Sequence, residues 1–265
     1  MPASGVQVSE ASCTYCVTGA ASGLGAAVTA RLVAKGHAVI TVDLEDADVL
    51  ADLSTERGRT SAVHSIARRT DVLQGLVPCA GLGPHVDDLA AIVAVNYFGA
   101  VELLEGLRHL LGASGDGAAV AIGSNSATTD PTVDEALVHA CLRDDEVVAR
   151  ELASESRGHS VYASSKLALM RHVRRSVTAW GDAGVRLNAI APGAFHSPLM
   201  DAVRADRDLG RFVDAVPVPY APSFAHVDQI AAPIEFLLSA DASWVHGACL
   251  FVDGGTDALL NPQVL

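Results

Sequence analysis

The clearest candidates for acid–base chemistry are a tyrosine and a lysine four residues apart. Tyr162 and Lys166 bracket the run Tyr-Ala-Ser-Ser-Lys in a segment that we predict to be helical, so their side chains share one face. A free phenol has a pKa of about 10, and a nearby ammonium favours its ionised form, so the tyrosine could exchange a proton near neutral pH. Only one other lysine, Lys35, occurs in the chain. The pair predicts a proton-transfer site; the alternative is an ordinary pair of surface neighbours.

Two further polar residues stand where the same chemistry could use them. Ser124 follows an apolar run of strand length, and its hydroxyl could polarise a carbonyl oxygen, although serine at a strand end also forms ordinary turns and caps. Asn96 lies in the apolar, helix-compatible run Ala-Val-Asn-Tyr-Phe-Gly, where it is a poor helix former and must find partners if it is buried. A polar relay is one way to supply those partners.

A glycine-rich turn near the N-terminus has the composition of a phosphate-binding loop. It follows the first apolar run, leads directly into a predicted helix and reads Thr18-Gly19-Ala20-Ala21-Ser22-Gly23-Leu24-Gly25. Glycine permits a tight turn and lets backbone N–H groups approach a pyrophosphate, whose charge is favoured at a helix N-terminus. The same composition also occurs in plain strand-to-helix turns, but its place in the first βα unit favours dinucleotide binding.

An acidic residue at the end of the next strand indicates which dinucleotide binds. The run Ala-Val-Ile-Thr-Val-Asp ends at Asp43, and no arginine occurs in the glycine-rich turn or directly after Asp43. A carboxylate at this place accepts hydrogen bonds from both adenosine ribose hydroxyls and repels the 2′-phosphate of NADP. We therefore predict NAD as the cofactor, and the alternative for Asp43 is a solvated residue at a strand end.

The elements that must position these residues alternate between strand-length apolar runs and helix-length amphipathic stretches. This pattern predicts repeated βαβ units and an α/β fold with a doubly wound parallel sheet, a Rossmann fold, in a single domain over 1–265. We predict strands at 14–18, 38–43, 75–79, 118–123, 185–190 and 248–252, with a further short one before Asp52. We predict helices near 23–35, 61–69, 88–111, 160–180 and 226–239.

Composition limits the classes of partner. Half of the 265 residues are hydrophobic, enough for the core of a large α/β domain. The formal net charge of −13 at pH 7 argues against a nucleic-acid partner. Because no uncharged apolar run approaches the ~20 residues that span a bilayer and the N-terminus does not resemble an export signal, we expect no membrane partner and a cytoplasmic location.

The five cysteines do not predict a disulfide framework or a metal site. They are scattered and odd in number, which fits reduced thiols. Cys13 and Cys16 form a Cys-x-x-Cys pair, but no second pair of ligands follows at zinc spacing and the motif does not open a helix. We expect no metal, and Cys16 packed within the first strand.

These motifs, in this order, resemble the short-chain dehydrogenase/reductase family over roughly residues 14–257. The resemblance implies catalytic roles for Asn96, Ser124, Tyr162 and Lys166, with Lys166 also holding the nicotinamide ribose. It implies cofactor contacts from Gly19, Ser22, Gly23, Leu24, Gly25, Asp43, Asp52, Leu53, Ala80, Gly81, Tyr162, Lys166, Pro192, Gly193 and Ser197. Asp253-Gly254-Gly255 resembles the usual C-terminal turn of the family.

Three features depart from the family pattern. Cys79 stands where the family usually has Asn before Ala-Gly, and Ser197 stands where a Thr usually contacts the nicotinamide carboxamide. Ser124 and Tyr162 are much further apart than usual, and the excess falls in an insertion at 129–158. Together with the runs 79–84, 95–100 and 179–188, this insertion resembles most the bacterial 3α-hydroxysteroid dehydrogenase/carbonyl reductase branch of the family.

The resemblance leads to expectations about substrate and assembly. We expect a dehydrogenase or reductase that interconverts a secondary alcohol and a ketone on a hydrophobic cyclic or steroid-like substrate. The alternatives are another small alcohol or carbonyl of a biosynthetic pathway, and a non-catalytic NAD-binding sensor. Large apolar residues of the 192–222 substrate-loop region could line the substrate pocket or pack on the core: Phe195, Leu199, Met200, Phe212 and Val216.

The insertion carries the expectation about assembly, a homodimer or homotetramer. In this family the helices around Asn96 and Tyr162 commonly form a tetramer interface. Leu137, Cys141, Val148 and Leu152 have spacings compatible with one helical face. We therefore expect one or two amphipathic helices that cover this interface, leave a homodimer formed through another surface and wall one side of the substrate pocket. The alternative is a surface decoration that changes neither the assembly nor the pocket.

Overall fold

The sheet confirms the predicted α/β fold. The computed structural model describes residues 13–220 and 224–263. The strands are β1 (Thr14–Thr18), β2 (Ala38–Asp43), β3 (Val49–Leu50), β4 (Gly75–Pro78), β5 (Ala118–Ile122), β6 (Arg186–Pro192) and β7 (Cys249–Val252). They pair in parallel in the order β3-β2-β1-β4-β5-β6-β7, and each predicted strand is present with small differences at its ends. The strands are apolar because helices cover both faces of the sheet.

Helices fill the connections between the strands. They are α1 (Gly23–Ala34), α2 (Glu56–Ala67), α3 (Leu89–Val93), α4 (Ala100–Gly112), α5 (Ser126–Thr129), α6 (Glu135–Leu142), α7 (Glu146–Ser154), α8 (Gly158–Arg175), α9 (Val177–Asp182), α10 (Pro198–Ala205), α11 (Arg207–Ala215), α12 (Val227–Leu238) and α13 (Thr256–Leu260). A π-helical stretch, Ala94–Gly99, joins α3 to α4. A short 3₁₀ turn, Ala240–Ala242, follows α12.

The order of the strands creates the crevice in which ligands bind. From β1 the chain continues outward to β2 and β3, then crosses back so that β4 pairs with the other side of β1. In register, Thr18 at the end of β1 stands beside Val42 of β2 and Pro78 of β4. The residues that follow these three strands therefore meet at the carboxyl edge of the sheet, at its switch point.

Two hydrophobic cores hold the sheet between its helices. One face packs against α1 and α12 through residues such as Leu24, Leu32 and Ile234. The other face packs against α2, α4 and α8, and this larger core includes Phe98 and Trp180. Residues of both insertion helices, α6 and α7, belong to the larger core, so the insertion is packed as part of the domain.

Three predicted helices differ from those observed. The helix predicted at 61–69 begins earlier, at Glu56, because the Thr55 side chain accepts a hydrogen bond from the Gly58 amide and caps the first turn. The helix predicted at 160–180 is divided at Ser176 into α8 and α9. The helix predicted at 88–111 is present, but its middle is the π-helical stretch that contains Asn96.

The insertion at 129–158 contains the two amphipathic helices that its sequence predicts. Asp134 and Asp145 cap α6 and α7 through hydrogen bonds from backbone amides. Leu137 and Cys141 are buried, whereas Val148 and Leu152 are only half-buried against the core. In the 192–222 region, the sequence did not predict the helices α10 and α11. Residues 221 and 222 of that region lie outside the described residues.

The run of helix from Leu89 to Gly112 is long and apolar enough, by length and composition alone, to cross a membrane. More than half of its most apolar window is buried inside the protein. Leu103, Leu104 and Leu107 pack in the larger core. Its apolar character therefore follows from its place as a core helix of the domain.

Candidate active site

Asn96 is buried and fully engaged in hydrogen bonds from the π-helical stretch. Its Oδ1 accepts a hydrogen bond from the Leu82 amide at 2.8 Å, and its Nδ2 donates to the Leu82 carbonyl at 3.0 Å. Nδ2 also lies 3.3 Å from Oγ of Ser165 on α8. The expectation that a buried asparagine finds polar partners is confirmed, and a π-helical turn at such a residue is common at functional sites. Asn96 thus fastens the loop after β4 to the helix that carries Tyr162.

Lys166 is buried on α8 beneath the end of the sheet. Its Nζ donates a hydrogen bond to the carbonyl oxygen of Ile122, the last residue of β5, at 2.9 Å. The same nitrogen lies 5.8 Å from the centre of the Tyr162 ring. A Cβ atom on Gly81 would stand 3.7 Å from Lys166 Nζ and 3.2 Å from Asn96 Oδ1, so the loop after β4 passes close to both side chains. Burial lowers the pKa of Lys166 to about 8.

Tyr162 and Ser124 face each other across the end of β5. Burial raises the pKa of the Tyr162 phenol, and hydrogen bonding with the Ser124 side chain opposes this rise. Oγ of Ser124 also accepts hydrogen bonds from the Ser126 amide, at 3.2 Å, and from the Ser126 hydroxyl, at 2.9 Å. Stabilisation of the phenolate by Lys166 remains a prediction. The arrangement brings a phenol, a hydroxyl and an ammonium to one place.

The glycine-rich turn forms a compact cradle that side chains would fill. Gly19 has a φ of +63°, and a Cβ atom there would lie 2.7 Å from the Ala80 amide nitrogen. A Cβ atom on Gly25 would lie 2.1 Å from the Gly19 carbonyl oxygen. The amide of Ala80 donates to Oγ1 of Thr18 at 3.0 Å, which joins the ends of β1 and β4 although Cys79 replaces the usual Asn. This backbone surface at the start of α1 fits a dinucleotide pyrophosphate.

The residues predicted to contact the cofactor line two adjoining spaces beside this turn, a groove and a cavity. The groove is lined by Gly19, Ser22, Gly23, Gly25, Asp43, Asp52, Leu53, Ala80, Gly81 and Ser197. The adjoining cavity is lined by Leu24, Tyr162, Lys166, Pro192 and Gly193, and also by Gly81 and Ser197. The Ser197 hydroxyl accepts a hydrogen bond from the Met200 amide and caps α10, a role that its sequence position did not reveal.

Asp43 stands at the end of the groove, beyond the glycine-rich turn. Its Oδ2 accepts a hydrogen bond from the Ala21 amide at 2.9 Å, and its Oδ1 accepts one from the Leu44 amide at 2.7 Å. Among the described residues, none that lines this groove is an arginine or a lysine. A carboxylate without a nearby cation fits a ribose diol better than a ribose phosphate.

The cavity that adjoins the groove has a volume of about 220 Å³ and a largely apolar lining. For five apolar residues the sequence did not decide between a place in the substrate pocket and a place in the core. All five line this cavity: Phe195, Leu199, Met200, Phe212 and Val216. Ser124 and Tyr162 also line this cavity. The groove and the cavity share five residues, which are Cys79, Gly81, Leu82, Ser197 and Leu199. The two spaces therefore meet at these five residues, and the Tyr162–Ser124 pair lies in the cavity.

Polar residues that the sequence did not single out also line the apolar cavity. His159 lies one helical turn before Tyr162 on α8, and Asp130 is buried at the start of the insertion. The i, i+3 spacing of His159 and Tyr162 was the available signal for His159. Nothing in the sequence pattern singled out Asp130, whose Oδ1 accepts hydrogen bonds from the amide and hydroxyl of Thr132.

The cysteines take no part in a metal site within the described residues, which contain no group of three or more His, Cys, Asp or Glu side chains that could hold a metal ion. Cys16 is fully buried in β1, and burial raises the pKa of its thiol to about 12. Packing of Cys16 in the first strand is confirmed.

Comparisons with known proteins agree with this geometry. Residues 14–134 match the short chain dehydrogenase family model, and residues 146–257 match the model described as enoyl-(acyl carrier protein) reductase. The chain is 42% identical over 250 residues to the 3-alpha-hydroxysteroid dehydrogenase/carbonyl reductase of Comamonas testosteroni, a match that covers 93% of this chain and 97% of that protein. It is 29% identical to the cis-4-hydroxycyclohexanecarboxylate dehydrogenase of Sinomonas cyclohexanicum, with 92% of this chain and 96% of that protein covered.

A solved structure extends the likeness to the fold. The 3-alpha-hydroxysteroid dehydrogenase from Pseudomonas sp. B-0831, complexed with NADH, superposes with a TM-score of 0.91 at 42% identity, covering 95% of this chain and 100% of that chain. The chain therefore belongs to the short-chain dehydrogenase/reductase family and is an oxidoreductase that acts on CH–OH groups with a nicotinamide dinucleotide.

Proposed function

We propose that this protein is an NAD-dependent dehydrogenase that interconverts a secondary alcohol and a ketone on an apolar cyclic or steroid-like substrate. The observation that carries the proposal is an apolar cavity that adjoins the cofactor groove and is itself lined by Tyr162 and Ser124. A substrate ring held in the cavity can place its oxygen at the two hydroxyl groups while the rest of the ring contacts apolar side chains.

The four catalytic candidates have separate roles in this proposal. The dinucleotide, when bound, accepts or supplies the hydride. Tyr162 removes the hydroxyl proton during oxidation and returns a proton during reduction, while Ser124 donates a hydrogen bond to the substrate oxygen. Lys166 holds the nicotinamide ribose and favours the phenolate. Asn96 supports a proton relay beyond Lys166.

The choice of NAD rests on Asp43. Its carboxylate lies at the end of the groove, and no cationic side chain lines the groove within the described residues. The 2′-phosphate of NADP would therefore be repelled by the Asp43 carboxylate, with no nearby cation to offset the repulsion. The pyrophosphate is held by the glycine-rich turn, and Asp52 with Leu53 forms the wall on the adenine side. The relative from Pseudomonas sp. B-0831 was solved with NADH, which agrees with this choice.

The class of substrate rests on the cavity and on the relatives. The lining is mostly apolar and includes several large apolar residues, which suits a fused or single hydrocarbon ring better than a polyol. Two relatives are named for a hydroxysteroid and a hydroxycyclohexane, both of which are cyclic secondary alcohols.

We further propose that the protein acts in the cytoplasm as a homodimer. Helices α6 and α7 pack against α8 and α3 and so cover part of the face that family tetramers use. At the opposite part of the molecule, β7 is the edge strand of the sheet and carries the exposed Leu250. Phe236 of α12 and Trp244, which precedes β7, are also exposed there. Apolar side chains at and near a sheet edge that is unpaired within the described part of the chain favour pairing with a second copy.

The test is a set of initial rates with NAD and a panel of alcohols. The panel contains hydroxysteroids, substituted cyclohexanols, hydroxyacyl thioesters and sugar alcohols, and NADH formation is followed by absorbance. We expect the largest kcat/KM for the steroids or cyclohexanols. Turnover of polyols or thioesters at higher kcat/KM than every cyclic alcohol would contradict the proposed substrate class.

A further inference from the structure

Arg59 is a fully buried charge that ties the insertion to the body of the domain. Its side chain on α2 has 0% exposure. Nε lies 2.7 Å from Oε1 of Glu102 on α4, and Nη2 lies 2.5 Å from Oε2 of Glu146 on insertion helix α7. Nη1 donates to the Leu53 carbonyl oxygen at 3.4 Å. A single guanidinium thus joins α2, α4, α7 and the turn that precedes α2.

Arg150, one turn further along α7, holds the next carbonyl of the same turn. Its Nε lies 2.8 Å from Oε1 of Glu146, and its Nη2 donates to the carbonyl oxygen of Ser54. Two consecutive carbonyl oxygens, those of Leu53 and Ser54, are therefore held by arginines that share Glu146 as their partner. Charge-assisted hydrogen bonds of this kind are stronger than neutral ones.

The turn held in this way is a wall of the cofactor groove. Asp52 and Leu53 line the groove, and Oδ1 of Asp52 accepts hydrogen bonds from the amide and hydroxyl of Ser54 at 2.9 and 2.6 Å. A Cβ atom on Gly99 would stand 3.3 Å from Cβ of Leu53, so the turn also packs against the π-helical stretch that contains Asn96. A displacement of the Ser54 carbonyl would therefore move the Asp52 carboxylate with it.

We propose that Glu146 and Arg150 of the insertion are positioning residues for the dinucleotide: α7 fixes the 52–54 turn, and through it the affinity for NAD. This inference rests on the proposed NAD-dependent function. In this clamp of Arg59, Glu102, Glu146 and Arg150, removal of a partner of Arg59 would leave a buried charge without full compensation, which proteins tolerate poorly. In this proposal the insertion positions the wall of the cofactor groove without contacting the cofactor.

Two variants and one control test the inference. Glu146→Gln removes the shared carboxylate charge, and Arg150→Met removes the bond to Ser54 from a half-buried position where folding is less at risk. Glu135→Gln is the matched control, because Glu135 also pairs an insertion helix, α6, with an arginine, Arg171 of α8, but does not touch the 52–54 turn. NAD binding is measured by calorimetry without substrate, and a melting curve is recorded for each protein.

The expected result is a rise in the NAD dissociation constant of at least about fivefold in Glu146→Gln and Arg150→Met, within the usual range for coupling between two sites. The control Glu135→Gln keeps the wild-type dissociation constant for NAD. At saturating NAD, kcat stays the same in all three variants, whereas KM for NAD rises in Glu146→Gln and Arg150→Met only. Arg150→Lys should restore part of the affinity. Unchanged NAD affinity in a folded Arg150→Met protein would overturn the inference. If the wild type itself bound no NAD, the proposed function would fail instead.

Discussion

The Nζ atom of Lys166 and the carbonyl oxygen of Ile122 lie 2.9 Å apart, inside the protein and below the Tyr162 ring. The strand end thus provides a backbone acceptor for a buried ammonium. One neutral acceptor does not offset the loss of hydration, and burial lowers the pKa of Lys166 from its ordinary value of 10.5 to about 8. The Lys166 ammonium, which the proposed chemistry requires, is therefore buried at a cost in the stability of the fold.

The first prediction concerns how this cost depends on pH. Between pH 8 and 10.5 the unfolded chain binds the Lys166 proton and the folded chain releases it, so the free energy of unfolding rises with pH in this window. We expect wild type to gain on the order of 1–2 kcal/mol relative to Lys166→Met between about pH 7.5 and pH 9.5, since one pKa unit corresponds to about 1.4 kcal/mol. Urea unfolding of both proteins without cofactor measures the difference. A difference that does not change with pH would show that Lys166 keeps an ordinary pKa.

The second prediction concerns the cofactor. Asp43→Ala combined with Leu44→Arg replaces the carboxylate by a cation at an exposed neighbouring position and should reverse the preference from NAD to NADP. The measurement is kcat/KM for both cofactors. Leu44→Arg alone is the matched control, and it should still prefer NAD because Asp43 remains. A wild-type preference for NADP would refute the role given to Asp43.

The third prediction concerns the assembly. Trp244 is 97% exposed beside the edge strand, and Trp244→Asp should convert the proposed dimer to a monomer as measured by light scattering. Val147→Asp changes an equally apolar exposed residue on the insertion, and the dimer should persist in that variant. The opposite pattern, with dissociation caused only by Val147→Asp, would place the interface on the insertion.

Several elements of the fold could be predicted because local rules determine them. The apolar runs predicted the strands, and the glycine-rich stretch before α1 predicted a tight turn, in which Gly19 has a positive φ. The spacing in the insertion predicted helical faces that do bury Leu137 and Cys141. In each of these cases the signal lies within one short segment of the chain.

Other features depend on residues that are distant in sequence. The π-helical turn at Asn96 is fixed by the backbone of Leu82 from another loop. The Arg59 clamp gathers charges from three helices, and no periodicity marks a charged residue that will be buried. Tertiary partners decide these positions, so sequence patterns alone could not.

The central claim is that Tyr162 exchanges the substrate proton where the cofactor groove meets the apolar cavity. The most direct measurement is a single-turnover assay of NADH oxidation by a cyclic ketone, with wild type, Tyr162→Phe and the exposed control Tyr220→Phe, alongside NADH affinity for each. We predict that Tyr162→Phe loses about 10²- to 10⁴-fold in rate, the usual contribution of a general acid, and that its NADH affinity and the Tyr220→Phe rate stay at wild-type values. A Tyr162→Phe protein that keeps more than about a tenth of the rate would contradict the account.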